Sequence, residues 1–167
     1  MSLSDASALR RRLLLATPLL ALAGCGFELK RAAELHFDSI ALTGFEPRSP
    51  LAQELRTTLE RSITVKEAPA QAQVVLQALS EQRPRRAVAF TASGQVRDIQ
   101  VRTIFRYRAQ TPSERELIPD SRIELIREMS FIESAALGKQ QEEQDLFREM
   151  QSDIVLQVML RLSTIRL

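Results

Sequence analysis

Apolar residues recur along this chain at two different spacings, and the switches between them mark out its elements. From about His36 to Phe45 the alternation is loose, with Ile40 and Leu42 on one side, and it stops at Gly44 and Pro47, which predicts a strand and a turn. Ser49-Pro50 then has the form of a helix start. The serine can cap free amides, and the proline sits where its missing N–H costs nothing. Leu51, Leu55 and Leu59 follow at i, i+4 and i+8, so a helix to about Arg61 carries one apolar stripe.

From Ala72 the period falls to two. Val74, Leu76 and Ala78 share a face in a second strand that continues irregularly past Pro84 through Phe90. Val96 to Ala109 alternates most cleanly. Ile99, Val101, Thr103, Phe105, Tyr107 and Ala109 fall on one side, and Asp98, Gln100, Arg102, Arg106 and Arg108 on the other. After a turn at Thr111-Pro112-Ser113, Ile123, Leu125, Met129 and Phe131 alternate along a further strand, with Arg122, Glu124 and Glu128 opposite. Helical spacing returns at about Gln141, with Phe147, Met150, Ile154, Val158, Leu162 and Ile165, and with additional apolar residues that predict packing over most of this helix's circumference, against the sheet, a partner or both. Strand, helix, strand, strand, strand, helix predicts an α+β two-layer sandwich: a mainly antiparallel sheet of about four strands, the three successive ones joined as a meander, with two helices packed on one face.

The first 24 residues follow another rule. Arg10, Arg11 and Arg12 precede an uncharged run from Leu13 to Ala23, and small residues lead directly to the only cysteine, Cys25. Basic start, apolar middle and small-residue cut site make a secretory signal. Eleven residues span about 17 Å as a helix, against roughly 30 Å of bilayer hydrocarbon, so this run is expected to be removed rather than to stay as an anchor. Leu22-Ala23-Gly24-Cys25 resembles the bacterial lipoprotein signal, in which the cysteine becomes the first mature residue and is acylated. The double arginine followed by leucines is also loosely similar to a twin-arginine export signal, without the serine, phenylalanine and lysine usual around it. The expected organisation is a signal peptide at 1–24, a lipidated tether at 25–35 and a single domain at 36–167.

Charge changes meaning under that division. Three of the chain's 23 basic residues and one of its 21 acidic ones lie in 1–24, so the remainder is balanced and gives no support to nucleic-acid binding. The balance is uneven along the chain: Arg83 to Arg127 holds ten arginines against five acids. Arg102, Arg106 and Arg108 share one strand face, where same-side neighbours lie about 7 Å apart, and Arg85 and Arg86 belong to the preceding segment. Such a set suits phosphates or carboxylates through forked, charge-assisted hydrogen bonds, or else forms ion pairs with Glu124 and Glu128 across the ladder.

Catalytic sets are missing. His36 is the only histidine, no Gly-x-Ser-x-Gly or phosphate-cradling glycine loop is present, and one cysteine makes neither a disulfide framework nor a metal site. Adjacent Glu142 and Glu143 point about 100° apart on a helix, which does not make a carboxylate pair. Neither an enzyme nor a cofactor is expected.

Gly26-Phe27-Glu28-Leu29-Lys30 directly after the cysteine, a strand ending Leu42-Thr43-Gly44, a proline-started helix, three strands and a long last helix together resemble LptE, the lipopolysaccharide-assembly lipoprotein family of Gram-negative bacteria. In that family the cysteine is typically followed by Gly-Phe-His-Leu-Arg-Gly, so Glu28, Lys30 and Arg31 depart from it here. The resemblance implies a non-catalytic lipoprotein held on the periplasmic side of the outer membrane by Cys25, seated in the LptD β-barrel and binding lipopolysaccharide. Gly26 favours the outer membrane, because an aspartate there resembles an inner-membrane retention signal. The alternative is a lipid-anchored adaptor of another envelope complex, with the last helix as its docking surface.

Overall fold

The computed structural model describes residues 34–131 and 135–167. The signal segment, Cys25 and the tether up to residue 33 lie outside the described residues. Strand β1 is Ser39–Thr43, helix α1 Pro50–Leu59, β2 Thr64–Lys66, β3 Val74–Gln82, β4 Arg85–Phe90, β5 Val96–Gln110, β6 Glu116–Ser130 and helix α2 Ala136–Leu162, with a single 3-10 turn at Pro69–Gln71.

All six strands belong to one sheet built around β5. One edge of β5 pairs antiparallel with β3, from Val75 opposite Gln110 to Gln82 opposite Ile104, and then with β4, from Arg85 opposite Val101 to Phe90 opposite Val96. Its other edge pairs antiparallel with β6 over nearly its whole length. The strand count therefore exceeds the expected four for two local reasons. Pro84 has no N–H to give and interrupts one long strand into β3 and β4, although its carbonyl still accepts from the Arg102 amide at 3.0 Å. Three-residue β2 is too short to carry a period.

The three successive strands form the expected antiparallel meander, with β3 and β4 as its first member, β5 in the middle and β6 last, and β1 joins the sheet differently. β1 pairs parallel with both β2 and β3, because the chain leaves β1, crosses through α1 and returns in the same direction. Gly44 makes the exit from β1 possible: its φ is +74°, and a β-carbon there would collide with the Ala78 carbonyl oxygen.

Both helices cover the same sheet face. Ser49 caps α1, its hydroxyl accepting from the Ala52 amide at 3.2 Å, and Leu51, Leu55 and Leu59 are fully buried. They meet Ile40, Val74, Leu76, Phe105, Tyr107, Ile154, Val158 and Leu162 in the main core. Phe105 stacks between Phe45 at 5.9 Å and Tyr107 at 5.2 Å. A smaller cluster of Ile99, Val101, Met129 and Met150 lies under the first half of α2.

One expectation about α2 is corrected. The helix starts at Ala136, five residues earlier than its apolar period shows, so no acid falls in its first turn. Against the sheet it packs along one stripe, with Leu160 exposed and Leu146 and Leu156 half-buried on the remaining circumference. A six-member polar set ties the layers together. Arg83 donates to Glu81 at 2.9 Å and to Gln151 at 2.8 Å, Glu81 accepts from Ser49 at 2.8 Å, and Glu54 accepts from Gln151 and Ser152.

β6 begins at Glu116, well before the expected Ile123. A register shift between Tyr107 and Ala109 places an extra β6 residue around Pro119 and Asp120. That bulge reverses parity, so even-numbered Ile118 is buried alongside odd-numbered Met129, and the alternation does not extend backward from Ile123.

Candidate functional site

The helices cover the odd-numbered side of β5, and its even-numbered side is the open face of the sheet. Strict alternation through Val96–Gln110 puts Arg102, Arg106 and Arg108 on that face, and Arg86, opposite Gln100 in register, joins them from β4. Arg85, opposite buried Val101, belongs to the helix side. It pairs there with Glu143 of α2 at 3.2 Å. The structure thus brings four of the five predicted arginines together and separates the fifth.

Gln100, 8 % exposed, is the hub of the open face. Its side-chain oxygen accepts from Arg102 Nε at 2.8 Å and Arg86 Nε at 3.1 Å, while its amide donates to Glu128 at 3.0 Å. Glu124 accepts from Arg102 at 3.3 Å and from Arg122 at 2.7 Å, one guanidinium on each oxygen. Arg106 forks onto both carboxylate oxygens of Asp120. Arg106 stands directly opposite Arg122 in the ladder, a like-charge pair that each member relieves through its own acid. Arg108 differs from the others on β5: its Nε donates to the neutral Gln77 at 2.8 Å.

Five guanidiniums, Arg86, Arg102, Arg106, Arg108 and Arg122, therefore share a face with the two carboxylates they bond, Asp120 and Glu124. Ion pairing across the ladder is real, but it leaves Arg86 and Arg108 bonded only to amides. Each guanidinium has five N–H donors and uses one or two of them here, so the face keeps donors for anionic oxygens. Gln100 and Arg122 were not singled out as site residues by sequence reasoning. Their only signal was parity, since both fall on the polar side of a predicted strand.

Arg85 lines a separate cleft of about 560 Å³ with Phe131, Lys139, Glu143 and Phe147. It is visible only once α2 is known to begin before Lys139. Burial pushes the Tyr107 phenol up and Arg161 pulls it partly back down, on the covered face. His36 is exposed ahead of β1, Glu142 pairs with Lys139 and Glu143 with Arg85, and among the described residues no group of three or more metal-ligating side chains converges. No described helix is long and apolar enough to cross a membrane. Cys25, the predicted acylation site, lies outside the described residues.

A family model described as lipopolysaccharide-assembly, LptE, matches residues 37–162. Among solved structures, a lipoprotein B from Nitrosomonas europaea superposes with a TM-score of 0.71 at 24% identity, covering 83% of this chain and 90% of that one. A minor lipoprotein from Acinetobacter baumannii gives 0.63 at 14% identity, covering 78% and 93%. The rare lipoprotein B from Shewanella oneidensis gives 0.62 at 20% identity, covering 73% and 93%. No curated protein sequence matches.

Proposed function

The chain belongs to the LptE family of lipopolysaccharide-assembly lipoproteins, which are not enzymes, and from that premise we propose that it binds lipopolysaccharide and seats within an LptD-type outer-membrane barrel. The observation that carries this reading is the family match, which runs from the start of the core through the last buried residue of α2. In this reading the thiol of Cys25 is acylated and holds the domain at the periplasmic side of the outer membrane, and 1–24 is a removed signal.

The ligand is an acylated, phosphorylated saccharide, and the open face offers what its phosphates need. Arg86, Arg102, Arg106 and Arg108 project from one rigid sheet, with planar forks matched to phosphate geometry. Because Arg108 and Arg86 are bonded to neutral amides, a phosphate there displaces no carboxylate. Arg106 must share or exchange Asp120, so it binds with less gain. Arg85, on the helix side, acts with Lys139 in the cleft, where Phe131 and Phe147 offer apolar contact to an acyl chain.

Reversal of the face tests this directly. The double variant Arg106→Glu with Arg108→Glu is expected to lose most of its capture of purified lipopolysaccharide, with its unfolding transition nearly unchanged, since both side chains are exposed. Undiminished capture removes the open face as the ligand site. Purification from the envelope in mild detergent is expected to bring down a large outer-membrane barrel, and recovery of the chain without one overturns the seating.

A further inference from the structure

β6 has a partner on one edge only. Among the described residues no strand pairs with its other edge, and β6 is 15 residues long. An open edge is a template for another strand, and proteins that keep it closed to partners blunt it with charged side chains, lysine above all, with proline or with a bulge. Pro119 and the bulge interrupt pairing only in the first third of β6, and the charges beyond it, Arg122, Glu124, Arg127 and Glu128, are of both signs, so they select a complementary partner rather than repel every strand. From Ser121 to Ser130 the ladder is regular and the sequence Ser-Arg-Ile-Glu-Leu-Ile-Arg-Glu-Met-Ser contains no proline, lysine or glycine.

The direction of its backbone groups follows from one bond. Phe131 donates its amide to the Arg97 carbonyl at 2.7 Å, so odd-numbered residues here turn their backbone groups toward β5. Arg122, Glu124, Ile126 and Glu128 therefore turn theirs outward. Ile126, 42 % exposed, sits in the middle of this row.

We propose that this edge pairs antiparallel with β6 of a second copy, in a two-fold arrangement centred on Leu125. Charge selects both the partner and the register. Centred on Leu125, Arg122 of each copy stands opposite Glu128 of the other, twice by symmetry, and Leu125 faces Leu125. Ile123 then lies along the aliphatic stem of the opposing Arg127, whose head is held by Asp153 of its own copy at 3.1 Å. Centring on Glu124 sets that acid against itself and Asp120 against Glu128. Centring on Ile126 sets Glu124 against Glu128. Centring on Ile123 forces the Pro119 bulge into the ladder. Only the Leu125 register keeps Ser121–Met129 regular with opposite charges facing. The product is one continuous sheet, with both open faces on the same side and their arginines merged into a single wider surface.

The experiment uses the full chain in mild detergent, without barrel or lipopolysaccharide, so its outcome is independent of the proposed function. Light scattering after size exclusion is expected to show a dimer that dissociates on dilution. Arg122→Glu and Glu128→Arg, each turning two attractive contacts repulsive, are expected to weaken self-association about tenfold. The two together in one chain restore it. Ile126→Pro removes an outward amide without touching the bonds to β5, and is expected to give a folded monomer by circular dichroism. A chain that stays monomeric at every concentration overturns the proposal. So does a dimer indifferent to both reversals and to the proline, which reports association through another surface or through the lipid.

Discussion

The two faces of β5 are made by one strand, with alternate residues of a single run serving opposite purposes. On the odd side Ile99, Val101, Thr103, Phe105, Tyr107 and Ala109 are all buried, and the helices close over them. On the even side Gln100, Arg102, Arg106 and Arg108 form a lattice of hydrogen bonds with β3, β4 and β6. The covered side removes apolar area from water, which is nearly unconditional. The open side exchanges water for amides and carboxylates at a small net gain, so its pattern is free to serve a ligand. Stability and recognition are thus separated by one residue of sequence.

The sharpest way to break that contrast is to exchange neighbours. Phe105→Ala empties a fully buried site between two rings and is expected to cost about 3–5 kcal/mol in denaturant unfolding. Arg106→Ala, one residue along, removes an exposed pair with Asp120 and is expected to cost about 1 kcal/mol or less. Equal losses at the two positions would mean that the open face is a second structural layer. Between these limits lies Gln100→Ala. Gln100 is buried, and its loss deprives Arg86 and Arg102 of a shared acceptor, so a cost of about 1–2 kcal/mol is expected, together with reduced lipopolysaccharide capture through loss of guanidinium positioning.

This contrast also explains what could be read from the sequence. Parity along Val96–Ala109 names both faces correctly, because in a regular strand the period alone decides the side. The Ser49-Pro50 start and the leucine stripe of α1 were legible for the same reason: capping and period are local. What failed was non-local. The split at Pro84 places Arg85 toward α2 and Arg86 on the open face, and nothing within the segment says which side either takes until register with β5 is known. The bulge near Pro119 reverses parity within β6, so Ile118 could not be placed by counting back from Ile123. The first half of α2 shows a weak period because it covers only the smaller core cluster, and its start at Ala136 was missed along with the cleft it forms over Arg85.

The smallest expected effect on stability is also the most informative about the open face. Arg108 lies near the end of β5, and its Nε bonds a neutral amide, Gln77, that water can replace. Arg108→Gln keeps a donor for that contact and removes one positive charge. Unfolding is therefore expected to shift by less than about 0.5 kcal/mol, within the range of ordinary surface substitutions. A phosphate bound there loses a charge-assisted fork, and such bonds contribute about 1.5–3 kcal/mol each, so capture of lipopolysaccharide is expected to fall roughly tenfold or more. The defect should shrink as salt rises, because a screened guanidinium attracts a phosphate less from the outset. A variant that unfolds like the wild type and still binds like it would leave Arg108 a solvated edge residue, and would move the search for the ligand to Arg85 and Lys139 on the other side of the sheet.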